Sequence, residues 1–256
     1  MFGRVRQSSI STFKPQLRVM SWNIHKGVGG VDRRYDLDRT ITVLKHYDPD
    51  VILLQEVAQG VRSLRRHDQV ELLVQALGLY AAFYPEHRYQ VGAYGNLILA
   101  RWPIFDPTHL DLTIGRRKKR GMVQAHIRTH INKRQRTLVV HNVHLGLAGR
   151  ERGLQLDRFV SSQPLRQLHQ STPIIVGGDL NDLWGSLGSK YLVPSGFERA
   201  GTLTNTFPSA LPLRPLDGLF FRGGLTLTHY EVARSKLART ASDHLPICAD
   251  FALLAV

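Results

Sequence analysis

Six stretches of this sequence end an apolar run in residues able to do chemistry: Asn23, Glu56, Asn142 with His144, Asp179 with Asn181, Asp217, and Asp243 with His244. Taken singly each signal is weak, because an Asn or Glu after a buried strand is ordinarily a turn former or a solvated group. Together they make a set of carboxylates, amides and imidazoles without thiolates. Such a set suits a hard, oxygen-binding cation, Mg²⁺ or Mn²⁺, better than zinc.

Spacing sharpens some of these candidates. In "VGGDLND" (176–182), Gly177 and Gly178 permit close backbone approach, and Asp179 and Asn181 lie two apart, on one side of an extended chain. A plain Gly-Asp turn gives the same pattern. In "LVVHNVHLG" (138–146), strand periodicity puts Asn142 and His144 on one face and His141 on the other. His126 and His130 have the spacing of a helical metal pair, but "MVQAHIRTHI" alternates as a strand does, separating them by roughly 13 Å. They are expected to be surface histidines. Asp243 and His244 are adjacent and would point to opposite faces inside a strand. They can converge only in an irregular segment before it.

These residues need a scaffold that ends many strands at one edge. Strands are expected at 17–25, 51–57, 95–101, 121–131, 136–145, 173–177, 216–221 and 245–254. Asp36 caps a helix carrying Leu37, Ile41, Leu44 and Tyr47, stopped by "DPD" at 48–50. Val70, Leu73, Val74 and Leu77 mark a second helix ending near Gly78, and a helical region over 150–169 is interrupted near Pro164. Many strands, few helices and no strict alternation predict an α+β fold with helices over two packed sheets.

Composition bounds the rest. The 256 residues suit one domain over 17–256 after a loose tail at 1–16, where no apolar stretch follows Arg4 and Arg6 to make a secretory leader. No run is long enough to cross a bilayer, and the single Cys248 excludes an internal disulfide, which favours a cytoplasmic monomer. A net charge of +14, concentrated in part in "RRKKR" at 116–120, predicts attraction to a phosphate-containing polyanion such as DNA or a phospholipid headgroup.

In order, "SWNIHKG", "LLQEV", "GNLILARWPI", "HNVHLG", "GGDLND", "PLDGLFF" and "SDHLPI" resemble the motif series of the endonuclease/exonuclease/phosphatase superfamily, the DNase I-like fold. The resemblance runs from about residue 17 to 254. It implies a four-layer αββα sandwich of two mainly antiparallel sheets flanked by helices, and metal-assisted hydrolysis of phosphoesters. Glu56 then resembles the main metal ligand, with Asn23 and Asp243 beside it. Asp179 and Asn181 resemble the residues that orient and activate the attacking water, and His244 the imidazole paired with a carboxylate, here Asp217. His144 resembles the histidine on the scissile phosphate, while Asn96, Arg120 and Asn142 are expected to contact substrate. Whether His244 or Asp179 is the base stays open. The form "HNVHL" is unlike the apurinic endonucleases, where a tyrosine usually holds the histidine position, and the signature segments of inositol polyphosphate 5-phosphatases are not evident. A phosphodiesterase acting on DNA, a phospholipid or inositol-phosphate phosphoesterase, and a noncatalytic basic module binding nucleic acid or an acidic membrane are the three function classes left.

Overall fold

The computed structural model describes residues 17–131 and 134–253; the tail expected over 1–16 lies outside the described residues. In chain order the elements are β1 (Leu17–Asn23), α1 (Leu37–Tyr47), β2 (Val51–Gln59), α2 (Gln69–Leu77), β3 (Tyr80–Arg88), β4 (Ala93–Ala100), β5 (Ile104–Asp111) and β6 (Gly121–Ile131). The second half comprises β7 (Arg134–His144), α3 (Gly149–Val160), α4 (Gln163–Arg166), β8 (Ile174–Asp179), β9 (Glu198–Arg199), β10 (Asp217–Arg222), β11 (Leu225–Val232), α5 (Lys236–Ala241) and β12 (Ile247–Leu253).

Two six-stranded sheets result, ordered β11-β12-β1-β2-β4-β3 and β5-β6-β7-β8-β10-β9. Each is antiparallel except for one central parallel pair, β1 with β2 and β7 with β8. Side chains alternate across these strands, so each sheet has an inner and an outer apolar face. The inner faces meet in a core of Val19, Leu53, Ile98, Val140, Ile175, Leu219 and Phe251. The outer face of the first sheet packs on α1, α2 and α5 through Met20, Trp22, Leu44, Leu73 and Ala238. That of the second sheet packs on α3 and α4 through Val139, Val176, Leu156, Phe159 and Leu165. This is the αββα sandwich. Among the described residues, no helix is long and apolar enough to cross a membrane.

Local signals act as their chemistry requires. Asp36 caps α1 by accepting the Asp38 N–H, and the helix ends on Asp48 in the left-handed region. Asp68 caps α2 on the Glu71 N–H, and Gly78 at φ +66° ends it. The helical region expected over 150–169 is two helices; Pro164 does not break a helix but sits in the first turn of α4, where its missing N–H costs nothing. Eight strands follow the expected positions. The four others, β3, β5, β9 and β11, are the four sheet edges. His126 and His130 lie on β6, paired with Val139 and Gln135 of β7, so the rejection of a helical metal pair holds. His126 is half-buried, with Nε2 3.2 Å from Gln124 Nε2, rather than fully at the surface; the His130 side chain lies outside the described residues.

Candidate active site

At one edge of the sandwich the inter-sheet core turns polar. The inward positions that carry Val19, Leu53, Val140, Ile175 and Leu219 deeper in the core continue along the same strand faces to Asn23, Gln55, His144, Asp179 and Asp217. Register aligns the last three, because His144 pairs with Asp179 across β7 and β8, and Asp179 pairs with Asp217 across β8 and β10. Three functional groups 73 residues apart in the chain thus share one face. The glycines of "VGGDLND" permit it. A Cβ on Gly177 would stand 2.4 Å from Leu219 Cδ2, and one on Gly178 1.8 Å from the Val143 carbonyl. Gly178 also has φ +148°, and Asn181 follows in the left-handed region at φ +49°.

Asp179 is the hub. Its Oδ2 accepts the Asn23 amide at 3.0 Å and lies 3.5 Å from His144 Nε2 and 3.8 Å from His244 Nε2, while its Oδ1 accepts the Asn181 N–H at 2.9 Å. His244 Nδ1 lies 2.9 Å from Asp217 Oδ2, which also accepts the Thr206 hydroxyl. The segment before β12 delivers this imidazole: Trp22 Nε1–H donates to the His244 carbonyl and the Ser242 hydroxyl to the Asn23 carbonyl. Gly30 packs against Asp243, where a Cβ would stand 2.5 Å from Asp243 Cα. Asp243 and His244 therefore both reach the polar edge from one irregular segment.

Electrostatics separates the two imidazoles. Burial alone would lower His244, but the Asp217 and Asp179 carboxylates outweigh it and raise it to about 10. Burial, reinforced by the Arg120 guanidinium, drives His144 well below its ordinary range. Burial raises Asp179 to about 6 against the pull of His244. Asp179, Asp217 and His244 form a buried Asp-Asp-His group whose ligand atoms lie within 4.8 Å of one another.

Glu56 reaches the site through a β-bulge. Gln55 and Glu56 together oppose Asn96 of β4, and Glu56 takes φ +56°. Burial would raise its carboxyl, yet the Lys26 ammonium on Oε2 holds it below the ordinary carboxylate range. The tight turn His25–Gly27 touches all three expected metal ligands. The His25 N–H donates to Asn23 Oδ1, His25 Nδ1 lies 3.7 Å from Asp243 Oδ1, and Lys26 pairs with Glu56. These oxygen donors fit Mg²⁺ or Mn²⁺. Of the Asp-Asp-His group, His244 already uses Nδ1 on Asp217 and carries a proton, so it is a poorer ligand.

Three expected substrate contacts fare differently. Asn142 is corrected: fully buried, it donates to the Leu54 and Leu97 carbonyls and accepts from Gln55, tying the sheets together with no donor left for substrate. Asn96 is also fully buried, donating to Glu86 Oε1 and the Gly121 carbonyl; its oxygen has no partner among the described residues. The expected direct contact of Asn96 is thus replaced by support of Glu86. Arg120 does line the site, with Nη1 3.4 Å from His144 Nδ1 and 3.8 Å from Glu86 Oε2. Sequence reading missed Glu86, Lys26 and Thr206. Glu86 sits in a second bulge, opposite β4 from the first, and the neighbouring Pro85 is the one signal that could have shown it.

Comparison with known proteins bears on the fold and the family. A sequence profile of the Endonuclease/Exonuclease/phosphatase family matches residues 20–244. The uncharacterized protein YbhP of Escherichia coli (strain K12) is 28% identical over 248 residues, 92% of this chain and 96% of that protein. The crystal structure of an endonuclease/exonuclease/phosphatase from Beutenbergia cavernae superposes with a TM-score of 0.75 at 21% identity, over 94% of this chain and 72% of that one. The mannosyl-6-phosphatase Bt3783 of Bacteroides thetaiotaomicron superposes at 0.74 and 16% identity, over 93% of this chain and all of that one. With the profile matching residues 20–244 and the fold shared, the chain belongs to the endonuclease/exonuclease/phosphatase family.

Proposed function

We propose that the protein is a divalent-metal-dependent phosphoester hydrolase, a phosphodiesterase acting on nucleic acid. The observation that carries this reading is the alignment of His144, Asp179 and Asp217 in register, with His244 closing on the last two. In-line attack of water on phosphorus needs a group to take the water proton and donors for the charge that builds on oxygen. Asp179 Oδ2 and His244 Nε2, 3.8 Å apart, form the pair that takes and holds that proton. Because these groups interact strongly, they titrate as a unit and neither is the base alone. Asp217 orients His244 through Nδ1, so that Nε2 faces the reacting centre.

His144 and Arg120 stand side by side as donors for a nonbridging phosphate oxygen. Asn23 orients Asp179, and Asn181 is pinned by donating to the Leu145 carbonyl. Glu56, Asn23 Oδ1 and Asp243 would hold the cation, which when bound supplies Lewis-acid polarisation of the phosphate. Lys26 must then leave Glu56, and its ammonium is placed to meet the incoming anion.

The test is hydrolysis of bis-p-nitrophenyl phosphate and of labelled DNA with Mg²⁺ or Mn²⁺, with and without EDTA. Metal-dependent turnover lost in Asp179→Ala is expected. Turnover that survives Asp179→Ala, or none on any phosphodiester, overturns the proposal.

A further inference from the structure

We propose that the face of the β3–β4 hairpin that runs on from the inter-sheet core, together with the 116–120 loop, is a track that stacks the bases and neutralises the phosphates of a single-stranded nucleic acid. The inference rests on the phosphoester-hydrolase reading and names its substrate class.

Three rings cluster on this hairpin: His87 and Tyr89 at 4.9 Å between centroids, His87 and Tyr94 at 5.3 Å, and Tyr89 and Tyr94 at 5.8 Å. Tyr94 is the buried floor, with Lys26 Nζ 5.0 Å and Lys118 Nζ 5.3 Å from its ring centroid. Tyr89 is 44% exposed at the hairpin tip. Further along β3, Tyr84 is 37% exposed and stacks on His109, their rings 3.3 Å apart and 10° from parallel. Burial takes His109 down to about 4, so the stacked pair is neutral.

The track joins the active site at both ends. On one side a cavity of about 460 Å³ is lined by Tyr84, Arg88, Arg117, Lys118, Lys119 and Arg120. Arg120 is only 4% exposed and its Nε–H has no acceptor among the described residues, while its Nη1 reaches His144. A buried guanidinium N–H without a partner, in a cavity where five Lys and Arg side chains outnumber the carboxylates of Glu86 and Asp111, calls for an anion. On the other side Lys26 and Tyr89 line a second depression of about 940 Å³, and Lys26 also holds Glu56. Cations spaced between aromatic faces are what a single strand requires, since every base has a π face and every linkage a charge. A duplex hides those faces in its own stack. A lipid headgroup matches the charge and leaves the rings unused.

The test is fluorescence anisotropy of a labelled oligothymidylate of about twelve nucleotides, with EDTA present so that nothing turns over. Tyr89→Ala, at the exposed hairpin tip, should weaken binding about tenfold, and Lys118→Gln should lower the slope of log K against log salt by about one. An abasic strand of the same length should bind wild type about tenfold more weakly and be indifferent to Tyr89→Ala. Equal affinity for abasic and base-bearing strands, no effect of Tyr89→Ala, or preferential binding to phosphatidylserine vesicles would overturn the proposal. Turnover of bis-p-nitrophenyl phosphate by wild type is read separately and decides only the hydrolase reading.

Discussion

His244 Nδ1 lies 2.9 Å from Asp217 Oδ2, a buried contact between the first residue of β10 and the segment that leads into β12, strands that belong to different sheets. The pair therefore joins the two sheets at the polar edge. It also lets two carboxylates overcome the burial that would otherwise discharge the imidazole.

Replacing Asp217 by Asn keeps the size and loses the charge. We expect kcat to fall by about 10²–10⁴-fold, with the His244 titration moving down from about 10. NMR of labelled histidine reads the titration, and an unshifted midpoint would show that Asp217 does not set the state of His244.

Metal binding should be visible without turnover. A cation present at about a hundred times its Kd adds about 2.7 kcal/mol to folding, or about 5–10 °C in Tm for a chain of this size. Mn²⁺ should raise Tm of the wild type by that amount, EDTA should reverse it, and Glu56→Gln should remove most of the effect. An unchanged response in Glu56→Gln, followed by thermal melts, would move the metal to other residues.

Asn142 should matter for stability and not for substrate. Asn142→Ala strands the Leu54 and Leu97 carbonyls and Gln55 in the core. The expected cost is about 3 kcal/mol, seen as a lower urea midpoint, with KM unaltered at temperatures where the variant is folded. A raised KM with unaltered stability would restore Asn142 as a substrate contact.

A histidine outside the site should add to the acid sensitivity of the fold. His141 is packed edge-on against Phe159, both ring nitrogens lack a partner among the described residues, and burial lowers it from 6.5 to about 3. The unfolded chain then binds the extra proton between those values, so stability is lost as pH falls below about 6.5. At pH 5 the loss is about 2 kcal/mol. His141→Phe should flatten this limb of the stability–pH curve, measured by denaturant unfolding at several pH values; an unaltered limb would place the acid sensitivity elsewhere.

By itself the sequence determined the family motifs, the eight inner strands, the caps of the first helix and the chemical types of the site residues. Inner strands are buried on both faces and read as apolar runs, so β1, β2 and β8 could be found without knowing their neighbours. The edge strands could not. β3 and β5 contain Pro85 and Pro107 and expose much of their length, and β9 has two residues, so pairing with the sheet defines them rather than any pattern of their own. Function divided in the same way. Residue type announced Asp179 and His244, but Asn142 and His144 share a strand face, and periodicity could not say that one would tie the sheets while the other met Arg120. Glu56 and Glu86 owe their positions to bulges on either side of β4. A bulge is set by the register of two paired strands, and register exists only once the chain has folded.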